Sequence, residues 1–449
     1  MAAPDDFIGR YIRLPPELLV KVAQWIPDTT TFFSFLDAIG AARGPLETLW
    51  TLGQDVTLKR SELWPKLRLT GDMLQNPFAR AAMEKIVQHY SVIGVAWTTE
   101  IDWLQCHVQP HTAIEWIVRV PTNLNDEDFG AWIAQFPTIR LTKLKIFVSK
   151  YPAMFVPRFF AVLPRCCDLV SLDLDGHIDI AAVFDFARVS HLQSLQLCCR
   201  DRAVLTTPVL QYATEWLITN PVRHLTLIKW SFESSIEAIH REAFYMALFQ
   251  CPTLAELHLS RCDLRDLTTL TSLSPALSDL SLVVSQLTPS NLATLAHVLP
   301  HSSIRQLGIK GLQRDPTCTE EEYLTAFVLL FEAVVTSSVQ ALALDNCQLI
   351  DLAWPRLEPI LLQTKLKTLS LCGNSIMDVG AMVIASALQV NSTVQSLKLI
   401  SNRISADGID VILDLKSLET LSVSNNLTTQ EDEGLLYEVA KERGITLFI

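Results

Sequence analysis

Eleven times between Leu141 and Val423 the sequence writes one six-residue frame: an apolar residue, two others, an apolar residue, one other, an apolar residue. The copies begin with LTKLKI at Leu141, LVSLDL at Leu169, LQSLQL at Leu192, VRHLTL at Val222, LAELHL at Leu254 and LSDLSL at Leu277. They continue with IRQLGI at Ile304, VQALAL at Val339, LKTLSL at Leu366, VQSLKL at Val394 and LETLSV at Leu418. ITLFI at the C-terminal end reads as a last partial strand. Successive copies start 23 to 35 positions apart. A repeat of that length is one supersecondary unit, which cannot bury its apolar face alone and must stack on its neighbours.

Alternation puts the three apolar side chains of each short strand into one interior. The chain must then turn sharply. Several copies place a polar or small residue three positions after the third apolar one, namely Cys262, Cys347, Asn374 and Asn402, with an apolar residue two further on. A side-chain amide or thiol there can bond turn backbone groups that have no strand partner, so Asn374 and Asn402 are expected to stack in a ladder. Arg200, Trp230, Ser285 and Leu312 stand at that position in four other copies, where local irregularity is expected. The return segment is helical. Within Asp378–Leu388, the residues Ala381, Ile384, Ala385 and Leu388 share one face. A helix that short is marginal alone and depends on its neighbours.

This pattern resembles the leucine-rich-repeat family in its ribonuclease-inhibitor-like form, over residues 141–449. The resemblance implies an α/β fold: a right-handed leucine-rich-repeat solenoid, a horseshoe of parallel strands with outer helices. The spacing is looser than the family's usual 20–29 residues.

A different text precedes the repeats. In RLPPELLVKVAQWIP, Leu18, Leu19, Val22 and Ile26 form an apolar stripe, Pro15 or Pro16 is placed to open a helix and Pro27 to end it. A second helix holds Phe32, Phe33, Phe35, Leu36 and Ile39 and closes at Gly40. The L-P-x-E-L-L opening resembles an F-box. That resemblance implies that Leu14, Pro15, Leu18, Leu19, Val22 and Ile26 contact a Skp-type adaptor, linking the chain to a cullin–RING ubiquitin ligase. The family's later Val-x-x-x-Trp pattern is missing near Ala38 to Arg43. The other reading is a helical cap over the first repeat's apolar edge. The expected division is therefore 1–45 as the helical module, 46–140 as an irregular Trp-rich linker or degenerate repeats, and 141–449 as the solenoid. YSVIGVAW and IEWIVRV in the middle region read as buried strands.

Composition excludes several functions. The net charge of −12 and the lack of a basic run disfavour nucleic acid. The most apolar stretch, AFVLLFEAVV, is interrupted by Glu332 and falls short of the roughly 20 residues a bilayer demands. The N-terminal residues are acidic where a secretory signal is basic, and none of the ten cysteines forms Cys-x-x-Cys. The chain thus reads as cytoplasmic or nuclear, with reduced, buried cysteines. No phosphate-binding loop, dinucleotide fingerprint, zinc-protease or nucleophile-elbow motif occurs. Cys106, His107 and His111 lack a fourth ligand and read as loop or core residues rather than a metal site. Asn125–Asp128 reads as a solvated turn, and Asn391 and Asn426 as glycosylation triplets of little meaning without a secretory route. No cofactor is expected.

The x positions of each frame face away from the core. Of these, His224, Glu256, His258 and Asp279 belong on adjacent strands about 5 Å apart. They are either a partner-binding patch on the concave face or a solvated sheet surface. No nucleophile stands beside them, so the expectation is a non-enzymatic interaction protein, a substrate-recognition subunit if the F-box resemblance holds, its protein substrate unidentified. The alternative is a repeat scaffold or regulator with no ubiquitin role; a GTPase activator is a third class, supported by the fold alone.

Overall fold

Why the chain folds as strand-then-helix units is visible in the computed structural model, which describes residues 15–121, 125–148 and 155–449. Fifteen strands, all paired in parallel where their registers are defined, alternate with helices in chain order. Contacts divide the chain into two compact units, Met1–Leu172 and Asp173–Ile449.

In the first unit, helix α1 (Pro16–Gln24) begins after Pro15. Helix α2 (Thr29–Ile39) is capped by Asp28, whose carboxylate accepts from Thr31 N, and ends at Gly40 with φ +50°. That left-handed stop is open to glycine at little cost. Leu19 and Ala23 of α1 and Phe32, Phe33 and Leu36 of α2 are buried. Phe32 stacks on Trp64 with ring centroids 4.0 Å apart, and the Trp64 indole donates to the Ile26 carbonyl at 2.6 Å. Gln24 Nε2 donates to the His89 carbonyl. The helical module is thereby pinned to Trp64 and to the segment that holds His89.

Strands β1 (Leu67–Thr70), β2 (Val92–Ala96), β3 (Ala113–Arg119) and β4 (Leu141–Val148) pair in that order. YSVIGVAW and IEWIVRV are β2 and β3. Strand–helix units therefore start at Leu67, before the recognisable frame does. Asn125 is not in a simple turn: its side chain accepts from Glu127 N and Asp128 N and caps a helix, Asp126–Ala134. An acidic first turn is favourable at a helix N-terminus, which is why that run resembled a loop in sequence.

Strand β5 (Ser171–Gly176) runs into the second unit. There β6 (Ser194–Leu205), β7 (His224–Phe232), β8 (Glu256–Ser260), β9 (Asp279–Val283) and β10 (Gln306–Lys310) pair in order. They are followed by β11 (Ala341–Asp345), β12 (Thr368–Ser370), β13 (Ser396–Lys398), β14 (Thr420–Ser422) and β15 (Thr446–Phe448). Each frame's apolar positions are buried; Leu366, Leu369 and Leu371 are all 0% exposed.

The asparagine ladder forms. Asn402 Oδ1 accepts from Asn374 N and Ile376 N, both at 3.0 Å, and its Nδ2 donates to the Leu371 and Leu399 carbonyls. Asn374 Oδ1 does the same for Cys347 N and Leu349 N. Asn426 extends the ladder by one rung, accepting from Ile404 N. At the N-terminal side thiols substitute: Cys347 Sγ donates to the Ile309 carbonyl and Cys262 Sγ to the Leu227 carbonyl. Burial pushes the Cys347 thiol up to about 12, so it stays a donor at neutral pH.

Of the four copies where irregularity is expected, the Arg200 copy shows a register shift, whereas those of Ser285 and Leu312 pair regularly. Strand β6 shifts register between Cys198 and Ala203, a bulge centred on Arg200. Trp230 is buried, and its indole N–H finds no acceptor among the described residues. All ten cysteines are free. Cys166, Cys199, Cys251, Cys262 and Cys347 are buried, whereas Cys106 and Cys167 are exposed, which corrects the expectation that all would be packed.

Candidate functional site

Parallel registry determines what meets on the strand face of the second unit. One row of side chains runs His224, Glu256, Asp279, Gln306, Ala341 and Thr368; the next runs Thr226, His258, Ser281, Gly308, Ala343, Ser370 and Lys398. A third row holds Ser260, Val283, Lys310 and Asp345. Because the side-chain period is two, rows one and two share a face with each strand's exposed positions, about 4.8 Å from strand to strand.

His224, Glu256, His258 and Asp279 are therefore brought together. His224 Nε2 lies 3.3 Å from Glu256 Oε1, with both side chains about half exposed. Such a pair adds at most a few tenths of a kcal/mol to roughly 1 kcal/mol. The four residues line one end of a hollow of about 600 Å³ that crosses β7 to β13. Burial raises the Asp279 carboxyl, and Glu256 beside it raises it further, with His258 and Lys310 pulling the other way. Burial likewise lowers His258, opposed by Asp279 and aided by Lys310.

The other end of the hollow was not singled out from sequence. Asp345 accepts from Ser370 Oγ at 2.6 Å and from Cys372 N at 3.0 Å, while its other oxygen faces Lys310 Nζ at 3.7 Å. The Asp345 side chain is 14% exposed, much less than Lys310 at 45%. Lys310 and Asp345 follow directly on the third apolar position of their copies, so one more step of the alternation would have found them. Gly308 leaves the middle of the floor without a side chain, beside Ser281. The result is an open trough with acidic and basic groups distributed along it and small residues in between. It can align hydrogen bonds and charges against a second chain. Its carboxylates, Glu256, Asp279 and Asp345, are spread over separate strands rather than gathered round one centre.

The α1 residues divide. Pro15 is exposed and Leu18 is 47% exposed, Leu19 is buried at 4%, and Val22 and Ile26 are half-buried. Leu14 lies outside the described residues. His107 Nδ1 lies 3.0 Å from the Trp103 carbonyl and Nε2 lies 3.6 Å from Glu84. Among the described residues no group of three or more His, Cys, Asp or Glu side chains could hold a metal ion. No helix among them is long and apolar enough to cross a membrane. Asn391 Nδ2 donates to the Leu361 and Thr364 carbonyls, and Asn426 Nδ2 to those of Leu399 and Val423. Both glycosylation triplets thus have their amide nitrogens engaged in the fold.

No protein-family model matches the sequence, and no curated protein sequence matches it. Among solved structures, the chain is similar to an internalin from Listeria monocytogenes at 14% identity, TM-score 0.40, over 81% of this chain and 88% of that one. It is also similar to an LRR protein of Leptospira interrogans at 12% identity, TM-score 0.33, over 87% of this chain and 91% of that one.

Proposed function

We propose that this chain is a non-enzymatic interaction protein that holds a protein partner along the strand face of Asp173–Ile449. The observation that carries the reading is the trough itself: seven neighbouring strands present charged groups of both signs with unfilled space above Gly308, Ala341 and Ala343. A surface of that kind suits an extended segment of another protein, recognised by charge register rather than by a deep pocket.

On the F-box resemblance, helix α1 would bring a Skp-type adaptor, and the chain would act as the substrate-recognition subunit of a cullin–RING ubiquitin ligase. Leu18 favours this reading, because a large apolar side chain 47% exposed on a short helix is available to a partner. Leu19 and Ala23 favour the second reading, a cap with no ubiquitin role, because both are already buried within the first unit.

Leu18→Asp separates the two readings. It places a charge at an exposed position, so the fold is expected to tolerate it. The adaptor reading expects a Skp-type adaptor to co-purify with the natural chain and to be lost from the variant. If the natural chain retains no adaptor, the ubiquitin role fails and the capped scaffold stands.

A further inference from the structure

A second hollow, of about 610 Å³, opens along the C-terminal parts of β6 and β7 and the turns that follow β8 to β10 in the same unit. Its lining contains three cationic side chains, Arg202, Lys229 and Arg261, in a chain whose net charge is −12. They come from three successive repeats. Ile228 pairs with Ser260, so Lys229 and Arg261 stand abreast one strand apart. Both sit in the same left-handed turn, at φ +63° and +56°. The turn recurs as Val284 in the next repeat and Gly311 in the one after, so the positive row stops at Arg261. Arg202 enters through the bulge in β6, which inserts extra residues between Cys198 and Ala203.

Lys229 is held without being neutralised. Lys229 Nζ donates to the Arg200 carbonyl, a neutral acceptor that orients the ammonium. Neither Arg202 nor Arg261 makes an ion pair among the described residues. Asp201, the nearest acid in sequence to Arg202, is turned to His177, 3.0 Å away. Asp263 is the one carboxylate lining the hollow; it is buried and already engaged. Three cations and one carboxylate leave a formal charge of +2 there. Ser231, Gln286 and Gln313 add neutral polar groups to the wall.

We propose that this hollow binds a phosphomonoester group. Guanidinium forks match phosphate oxygens in pairs, and a group carrying roughly −1.5 to −2 at neutral pH balances the surplus. A single carboxylate would leave half of it uncompensated and would meet Asp263 with less to offset the repulsion. The group can arrive free or on a phosphorylated residue of another protein. This site does not depend on the reading of the trough or of α1.

Calorimetric titration of the full chain tests it, with three probes: inorganic phosphate, a short uncharged peptide carrying one phosphoserine, and the same peptide unphosphorylated. The expected result is saturable binding of a phosphorylated probe that weakens with added salt, with no binding of the unphosphorylated peptide. Arg202→Gln and Arg261→Gln are each expected to weaken it about tenfold, as for loss of a charge-assisted bond, with unchanged circular dichroism; Lys441→Gln, on the last helix, leaves it unchanged. Tighter binding of the phosphopeptide than of inorganic phosphate identifies a protein source, and equal affinity a free one. Three results overturn the proposal: no binding of either phosphorylated probe, equal binding of the unphosphorylated peptide, or full affinity in the Arg202→Gln/Arg261→Gln double variant.

Discussion

At the scale of the residue, the ladder asparagines matter most. Asn402 satisfies two buried N–H groups of one turn and returns two donors to strand carbonyls. Asn402→Ala leaves both amides without an acceptor, at a cost of about 2–5 kcal/mol. A urea denaturation curve with a clearly lowered midpoint is the expected outcome. Asp279 tests the trough's electrostatics. Burial raises its carboxyl above the ordinary 3.8, so ionisation costs the folded state stability at neutral pH. That cost is relieved as pH falls through the raised value and is gone below 3.8. Asp279→Asn should therefore stabilise at pH 7, by no more than about 0.5 kcal/mol because the site is partly solvated. The gain should vanish in melting curves recorded near pH 3.5. His258 acts in a separate window. Burial lowers it, so the folded state resists its protonation, and stability is lost as pH falls below 6.5. Asn374 and Asn402 were legible because an amide at that spacing has one task. Asn426 performs the same task but sits in a glycosylation triplet, and the triplet drew the reading.

At the scale of the element, helices lock to one another through a paired device. Asp378, in the first turn of one helix, accepts from Ser405 N at 2.7 Å and Ser405 Oγ at 2.9 Å, where the next helix begins. Gly408 lies beneath it, and a Cβ there would come within 2.4 Å of Asp378 Oδ1 and 2.7 Å of Ile404 Cγ2. Asp351, Met377 N and Gly380 repeat the arrangement one unit earlier. Propensity alone favours alanine over glycine inside a helix by about 1 kcal/mol. The contact decides the sign, because the carboxylate is held by two bonds and cannot retreat freely. Gly408→Ala should lower the melting temperature, reflecting a net loss of about 1–2 kcal/mol after that propensity gain. A rise would show that Asp378 yields. Strands β4 to β14 were legible because three apolar residues at fixed spacing specify a buried strand. Strands β2 and β3 were legible as buried strands, but their stretch stayed open between a linker and degenerate repeats, because the leucine frame is not kept there: Ile93 and Val95 follow Tyr90, and Ile114 and Trp116 follow Thr112.

At the scale of the whole molecule, aromatic residues are unevenly placed. Seven of the ten tryptophans belong to Met1–Leu172, including Trp25, 82% exposed, and Trp97, 52% exposed. The other three, Trp216, Trp230 and Trp354, lie in Asp173–Ile449 and are at most 1% exposed. The chain thus carries a built-in optical label. In the native state, a water-soluble quencher such as iodide can reach indoles of the first unit and none of the second. The quenchable emission reports on one unit, and the red shift on unfolding reports on both. Trp25 sits one residue past the end of α1, so a partner covering that helix should remove Trp25's share of the quenching and leave that of Trp97.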